Sequence, residues 1–219
     1  MQSNIIVAGY NNEYNRVPQK VPSNARLNAW KHGDEIPGMN ASQPPPIDLS
    51  RLDQTQFIER YGGLYEHSPW IAEKVWTQIQ SQHSISVDAL ASRLKETVDS
   101  STNQQKMDLL CAHPELAGKA ATEGTLTADS TEEQSRARLD LCSAQEYEKF
   151  QQLNAAYNEK FKFPFIMAVR ESSRAEILEA FEMRLNNASQ DEFETALEQV
   201  HRIARLRLQA TLTSPSEQA

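Results

Sequence analysis

Long apolar runs are missing from this chain. No stretch approaches the ~20 residues that a membrane-spanning helix needs, so no membrane partner is expected. The amino terminus, "MQSNIIVAGYNNEYNR", has no basic segment ahead of its short apolar patch, which argues against a secretory signal. Cysteine is scarce: Cys111 and Cys142 are the two present, without metal-ligand spacing, and a reduced intracellular setting is the default. Positive charge is in deficit, 22 Lys and Arg against 30 Asp and Glu. The formal charge of -8 argues against nucleic acid, whose phosphates attract basic patches. Glycine is sparse too, and the seven present build no phosphate loop, no Gly-x-Ser-x-Gly elbow and no dinucleotide fingerprint. The five histidines include no His-x-x-x-His pair, and no Cys-x-x-Cys occurs. No metal and no tightly bound cofactor is therefore expected. The last residues, "SPSEQA", are not a Ser-Lys-Leu-type peroxisomal address, so the expected location is the cytoplasm.

What is present reads as helix. The length of 219 residues suits one domain of ordinary size plus a tail. Residues 1–46 are rich in Asn, Pro and Ser, lack apolar periodicity and end in Pro44, Pro45 and Pro46, which predicts an irregular arm. From residue 47 to 212 helical patterns follow one another, and 213–219 form a tail. Ser68-Pro69 opens "WIAEKVWTQIQ" with a cap and a first-turn proline. Ser86 opens a helix whose Val87, Leu90, Leu94 and Val98 share one stripe. "NQQKMDLLCA" runs into His113, and Ser130 is expected to start "STEEQSRARLDL". Ser143 begins a longer helix carrying Tyr147, Phe150, Leu153, Tyr157 and Phe161. Ser172 or Ser173 starts "RAEILEAFEMRL", with Ile177, Leu178, Phe181 and Leu185 inward. Ser189 begins the last helix, with Phe193, Leu197, Val200 and Ile203 as its apolar face. Ser130/Glu133, Ser143/Glu146 and Ser189/Glu192 all have capping-box spacing. No pair of alternating β-branched runs is found. The expected fold class is all-α, a compact single-domain helical bundle with an irregular amino-terminal arm.

One stretch, "CAHPELAG" (111–118), stands out. Pro114 pushes His113 out of the α region, so the pair marks a break where a side chain can point into a cleft. His113 can equally be a carboxy-terminal cap that favours the helix dipole. Glu133 can close a capping box, Arg170 can be a solvated charge at the end of "FPFIMAVR", and His67 can cap the helix that follows it. Residue chemistry alone leaves these alternatives open.

Four segments in order, "YGGLYEHSPWIAE" (61–73), "HPELAG" (113–118), "LTADSTEEQ" (126–134) and "FPFIMAVR" (163–170), resemble the 2-oxo-4-hydroxy-4-carboxy-5-ureidoimidazoline (OHCU) decarboxylase family. The resemblance covers residues from about 50 to 210. It implies an all-helical fold and a cofactor-independent carboxy-lyase that makes (S)-allantoin from OHCU at the end of urate oxidation. It also implies His113, Glu133 and Arg170 as catalytic residues, with Pro114 beside His113 in the substrate pocket. Ser130, Thr131, Glu132, Glu133 and Gln134 match the family's Ser-x-x-Glu-Gln pocket motif. Phe165, Ile166, Met167, Ala168 and Val169 match a segment that lines the pocket. Glu171 stands where many members have a small residue, and Asp129 where a glutamate is common.

That reaction suits these residue types. In OHCU the carbon bearing the carboxylate also bears a hydroxyl, beside a ring C=N bond that accepts the electron pair left by CO2. The substrate thus carries its own electron sink, and pyridoxal or thiamine is unnecessary. A histidine, with an ordinary pKa of ~6.5, gives and accepts protons near neutrality. The expected partners are OHCU, a second copy of the chain in a homodimer, and functional coupling to urate oxidase and hydroxyisourate hydrolase. With the chain ending at Ala219, the hydrolase step is expected from another protein. The rival expectation is a catalytically silent helical interaction module on the same scaffold.

Overall fold

A computed structural model describes residues 44–118, 124–170 and 172–213. Most of the arm expected over 1–46, most of the 213–219 tail, and Glu171 lie outside the described residues.

Eight α-helices are found among the described residues: α1 (Gln54–Tyr61), α2 (Trp70–Ile79), α3 (Val87–Asp99), α4 (Asn103–Cys111), α5 (Ala128–Arg136), α6 (Ala144–Phe161), α7 (Arg174–Arg184) and α8 (Ser189–Thr213). The all-α fold class holds. One feature the sequence pattern did not announce is a two-stranded antiparallel ribbon, β1 (Ile47–Asp48) with β2 (Ser84–Ile85), in the register Ile47↔Ile85. Strands of two residues are too short to carry an alternation signal.

Local capping chemistry explains most helix starts. Asp53 and Gln56 form a reciprocal capping box on α1, as do Thr102 and Gln105 on α4. Ser86, Ser143 and Ser173 cap α3, α6 and α7 as expected, the last two with Glu146 and Glu176 closing the box. On α2 the cap position is Pro69, with no side-chain cap bond, while the exposed His67 takes a left-handed backbone (φ 46).

Two expected capping boxes are absent. Helix α5 starts at Ala128, because Thr127, whose hydroxyl accepts from the Ser130 N–H, is the cap. An eligible cap three residues upstream lengthens the helix, and Asp129 then falls in its first turn, where negative charge is favourable. Ser130 is thereby turned inward. Glu192 likewise closes no box with Ser189: it is fully buried and bonds Tyr157, Arg184 and Asn187. The run "STEEQSRARLDL" is also broken, since Arg138 is left-handed (φ 57) and a 3-10 turn follows at Leu139–Leu141.

The apolar stripes meet as periodicity requires. Leu90, Leu94 and Val98 of α3, Phe150 and Tyr157 of α6, Ile177 and Phe181 of α7, and Val200 of α8 are all buried in one core. Helix α8 packs against α3, α4 and α6 and so forms the spine of the bundle. Burial of this kind is worth roughly 25 cal/mol per Å² of apolar surface, and it is the main force holding helices of modest propensity together.

Candidate active site

Helix α4 ends at Cys111, and Pro114 prevents its continuation, so residues 113–118 leave it as a loop. The loop is tied down on both sides. From α5, the Gln134 side chain accepts from the Ala117 N–H (3.1 Å) and donates to the Glu115 carbonyl (3.3 Å). From α6, Gln151 and Asn154 donate to the carbonyls of Ala117 and Leu116, and Asn158 donates to the Glu115 carboxylate. These bonds hold Ala117 in a left-handed conformation (φ 50) that a non-glycine residue avoids unless the surroundings impose it. Gly118 is required by close approach, since a Cβ there would lie 2.6 Å from the Cβ of Glu115.

This clamping buries His113 and sets its tautomer. Its Nδ1 lies 2.9 Å from the carbonyl oxygen of Leu109. A carbonyl only accepts, so Nδ1 carries the proton and Nε2 keeps its lone pair. Nε2 bonds no described residue. Burial pushes the imidazole down to about pKa 4, and Arg207 and His67 add to that. The Leu109 bond and Glu66 only partly oppose it. His113 is therefore a neutral base at neutral pH.

Facing it is a buried guanidinium from α8. Arg207 donates Nε and Nη2 to the two oxygens of Glu133 (2.9 and 2.8 Å), a bidentate pairing. Its Nη1 donates to Glu66 (2.6 Å), and Nη2 also approaches the Ser130 hydroxyl (3.3 Å). The other Glu66 oxygen accepts from the hydroxyls of Thr127 (2.7 Å) and Ser130 (3.0 Å). Burial opposes ionisation of Glu66, but the Arg207 charge and these hydrogen bonds outweigh it and hold the carboxyl below its usual range. For Arg207, burial is likewise outweighed by its two carboxylate partners, which keep it charged. One cation thus serves two carboxylates beside a neutral imidazole.

A cavity of about 30 Å³ opens among these groups. That is room for about one water, so a bound molecule would extend into the open mouth. His113, Ser130, Glu133, Gln134 and Arg207 form its polar side, and Pro114, Phe165, Ile166, Met167 and Val169 much of its apolar side. The helical period explains which motif residues take part. Ser130, Glu133 and Gln134 (i, i+3, i+4) share the inward face of α5, whereas Thr131 and Glu132 are exposed, Glu132 pairing with Arg136. Ala168 does not line the cavity; its N–H is bound by the Gln199 side chain (3.0 Å). Arg170 does not line it either, and its Nη2 lies 3.9 Å from the exposed carboxylate of Glu132. The guanidinium of the cavity wall is Arg207.

Arg207 and Glu66 were not singled out from the sequence. A signal existed for the arginine: with Val200 and Ile203 it falls at i, i+3, i+7 of the α8 apolar stripe, where a charge must be buried and therefore paired.

A larger cavity, about 280 Å³, opens between α3 and α8 around His201. It offers less chemistry. His201 Nε2–H donates to Asp99 (3.1 Å) and Nδ1 accepts from the Tyr65 hydroxyl (2.9 Å), so both ring nitrogens are occupied. Lys95 pairs with Glu198 and Asp99, and Arg205 with Asp88. Among the described residues, no group of His, Cys, Asp and Glu has the arrangement of a metal site, and no helix is long and apolar enough to cross a membrane.

Known proteins are similar to this chain. Residues 50–209 match the family described as OHCU decarboxylase. The chain is 41% identical over 167 residues to the 2-oxo-4-hydroxy-4-carboxy-5-ureidoimidazoline decarboxylase of Haloferax volcanii, covering 76% of this chain and 95% of that protein. It is 34% identical over 173 residues to the protein of the same name from Mus musculus, covering 79% and 96%. A crystal structure of (S)-allantoin synthase superposes with a TM-score of 0.60 at 34% identity, over 74% of this chain and 52% of that one. A chain so matched along its helical part, and with His113, Glu133 and Arg207 gathered at one cavity, belongs to the OHCU decarboxylase family.

Proposed function

We propose that this protein is a carboxy-lyase that decarboxylates OHCU to (S)-allantoin. The observation that carries the reading is the neutral His113, its Nε2 bonded to none of the described residues, in one cavity with the Arg207–Glu133 pair. The bond from the substrate's quaternary carbon to its carboxylate breaks, CO2 leaves, and the electron pair forms a C=C bond as the adjacent imine nitrogen takes a proton. Collapse of the resulting enol passes the hydroxyl proton to His113 Nε2, and the imidazolium so formed returns that proton to the neighbouring ring carbon, while the proton on the ring nitrogen comes from solvent. One proton is consumed overall. A histidine on one side of the cleft reaches one face of the planar enol, which gives a single enantiomer.

His113, Glu133 and Arg207 are the residues proposed to face the substrate. Glu133, held bidentate by Arg207, is oriented rather than mobile. Arg207 is shared by Glu133 on the wall and the buried Glu66 behind it, so it does not neutralise the substrate's carboxylate. Stabilising that charge in the ground state would be lost as CO2 forms and would slow the step. Pro114, Phe165, Ile166, Met167 and Val169 restrict water. Arg170 is proposed to act outside the cavity. The substrate's imine takes the electrons, so the chemistry requires no cofactor.

Family membership and the reaction's chemistry also support a homodimer that works in the cytoplasm on OHCU delivered by urate oxidase and hydroxyisourate hydrolase. We retain the division into an arm (1–46), a helical domain (47–212) and a tail (213–219) on compositional grounds. The test is to generate OHCU from urate with those two enzymes, add the protein, and follow circular dichroism of the allantoin formed. Accelerated appearance of one enantiomer is expected. Racemic product at the spontaneous rate would overturn the reading.

A further inference from the structure

Residues 163–170 run across the cavity with neither helix nor strand, yet Phe165, Ile166, Met167 and Val169 form its apolar wall. Such a segment has no ladder of its own, so other groups must take its backbone polar atoms and fix its path. Two side chains do so on either side of Met167. Arg184, the last residue of α7, donates Nη1 to the Ile166 carbonyl (2.7 Å) and lies 4.4 Å over the Phe165 ring. Gln199, on α8, accepts from the Ala168 N–H (3.0 Å).

Arg184 is itself immobilised. Its Nε and Nη2 donate to Glu192 (2.8 and 2.6 Å), which is fully buried and also accepts from Tyr157 and, at 2.6 Å, from Asn187. Phe165 is stacked on Phe181 with ring centroids 3.8 Å apart. A buried ion pair is a poor way to gain stability, because apolar side chains of the same volume usually do as well. An arginine alone can fork onto Glu192, reach the Ile166 carbonyl with its other nitrogen and stack on Phe165 at once.

From this we infer that Arg184 and Gln199 are positioning residues: a two-point clamp that sets the wall opposite His113 and so determines how tightly substrate is held. The inference rests on the decarboxylase reading for its kinetic arm, and its structural arm is independent of it. A wall displaced by about 1 Å can cost on the order of 100-fold.

The test compares Gln199→Met, which has similar volume and no acceptor, with Gln199→Glu, which still accepts from the Ala168 N–H. Arg184→Lys, which keeps the charge but not the fork, is the third variant. Amide hydrogen exchange over residues 163–170 is read with melting temperature and with KM and kcat on OHCU. Gln199→Met is expected to exchange faster in that segment alone, with KM raised about tenfold, kcat less affected, and melting temperature nearly unchanged. Gln199→Glu should restore both exchange and KM, and Arg184→Lys should resemble Gln199→Met. Unchanged exchange in Gln199→Met and Arg184→Lys would overturn the clamp, as would equal KM in all four proteins. Failure of the wild type to turn over OHCU would instead sink the decarboxylase reading, and binding of (S)-allantoin by the four proteins would then replace KM as the readout.

Discussion

Among the described residues, Arg184 and Arg207 both pair with a buried carboxylate, and they are partnered differently. Arg184, partly exposed, meets one carboxylate, the fully buried Glu192, away from both cavities, and the pair is completed by Tyr157 and Asn187. Arg207 meets two, Glu66 and Glu133, and of these Glu66 is sealed while Glu133 and the arginine reach a cavity with His113. A charge-balanced centre away from the cavities can only hold structure in place. A centre with an extra carboxylate and a neutral base at an opening can move protons and contact a ligand. Burial of charge alone therefore does not set the candidate site apart; what does is burial combined with a lone pair, at a cavity, that bonds none of the described residues.

The largest effect is expected at His113. His113→Asn removes the base while adding no core void, and turnover should fall roughly 10²- to 10⁴-fold. Helical circular dichroism should stay that of the wild type. Turnover within a few-fold of normal would remove the open centre's claim to chemistry. Next in size, Arg207→Lys keeps a cation but loses the fork onto Glu133, and about a 100-fold fall in turnover is expected. Arg170→Lys, measured beside it, should stay within a few-fold, since Arg170 does not line the cavity. Equal losses at the two arginines would undo the assignment made from geometry.

A pH experiment tests the same centre through stability. The His113 pKa is about 4 when folded and ~6.5 when unfolded. Between those values the unfolded chain binds more protons than the native one, so stability falls as pH drops from about 6.5 to 4. The size is on the order of 3 kcal/mol. His113→Asn should flatten that part of the stability–pH curve, whereas His201, whose pKa burial also pushes down, stays in both proteins and leaves a common slope. Parallel curves for wild type and variant would contradict the burial of His113. Smallest is the effect at the Arg184 centre: Tyr157→Phe removes one donor to Glu192, which keeps Arg184 and Asn187. About 1 kcal/mol of stability, or about 2–4 °C in melting temperature, should be lost with turnover unchanged. A large loss of turnover there would erase the distinction between the two centres.

By itself the sequence determined what depends on neighbours within a turn or two. Ser86, Ser143 and Ser173 cap helices because an N-cap needs only its own hydroxyl and an N–H three residues on. Leu90, Leu94 and Val98 face inward because period 3.6 puts them on one side. The His113–Pro114 break follows from proline's ring, and ordered motifs carried the family. Tertiary structure decided the rest. Ser130 and Thr127 both qualify as caps, and Ser130 was drawn inward because Glu66, 64 residues away, takes its hydroxyl. Arg170 ends a pocket motif, but Arg207 enters the cavity because Glu133 and Glu66 lie 74 and 141 residues from it along the chain and against it in space. Local rules cannot weigh such partners, since a buried charge is tolerable only where packing brings its counter-charges, and that is settled when α8 docks against the rest of the bundle.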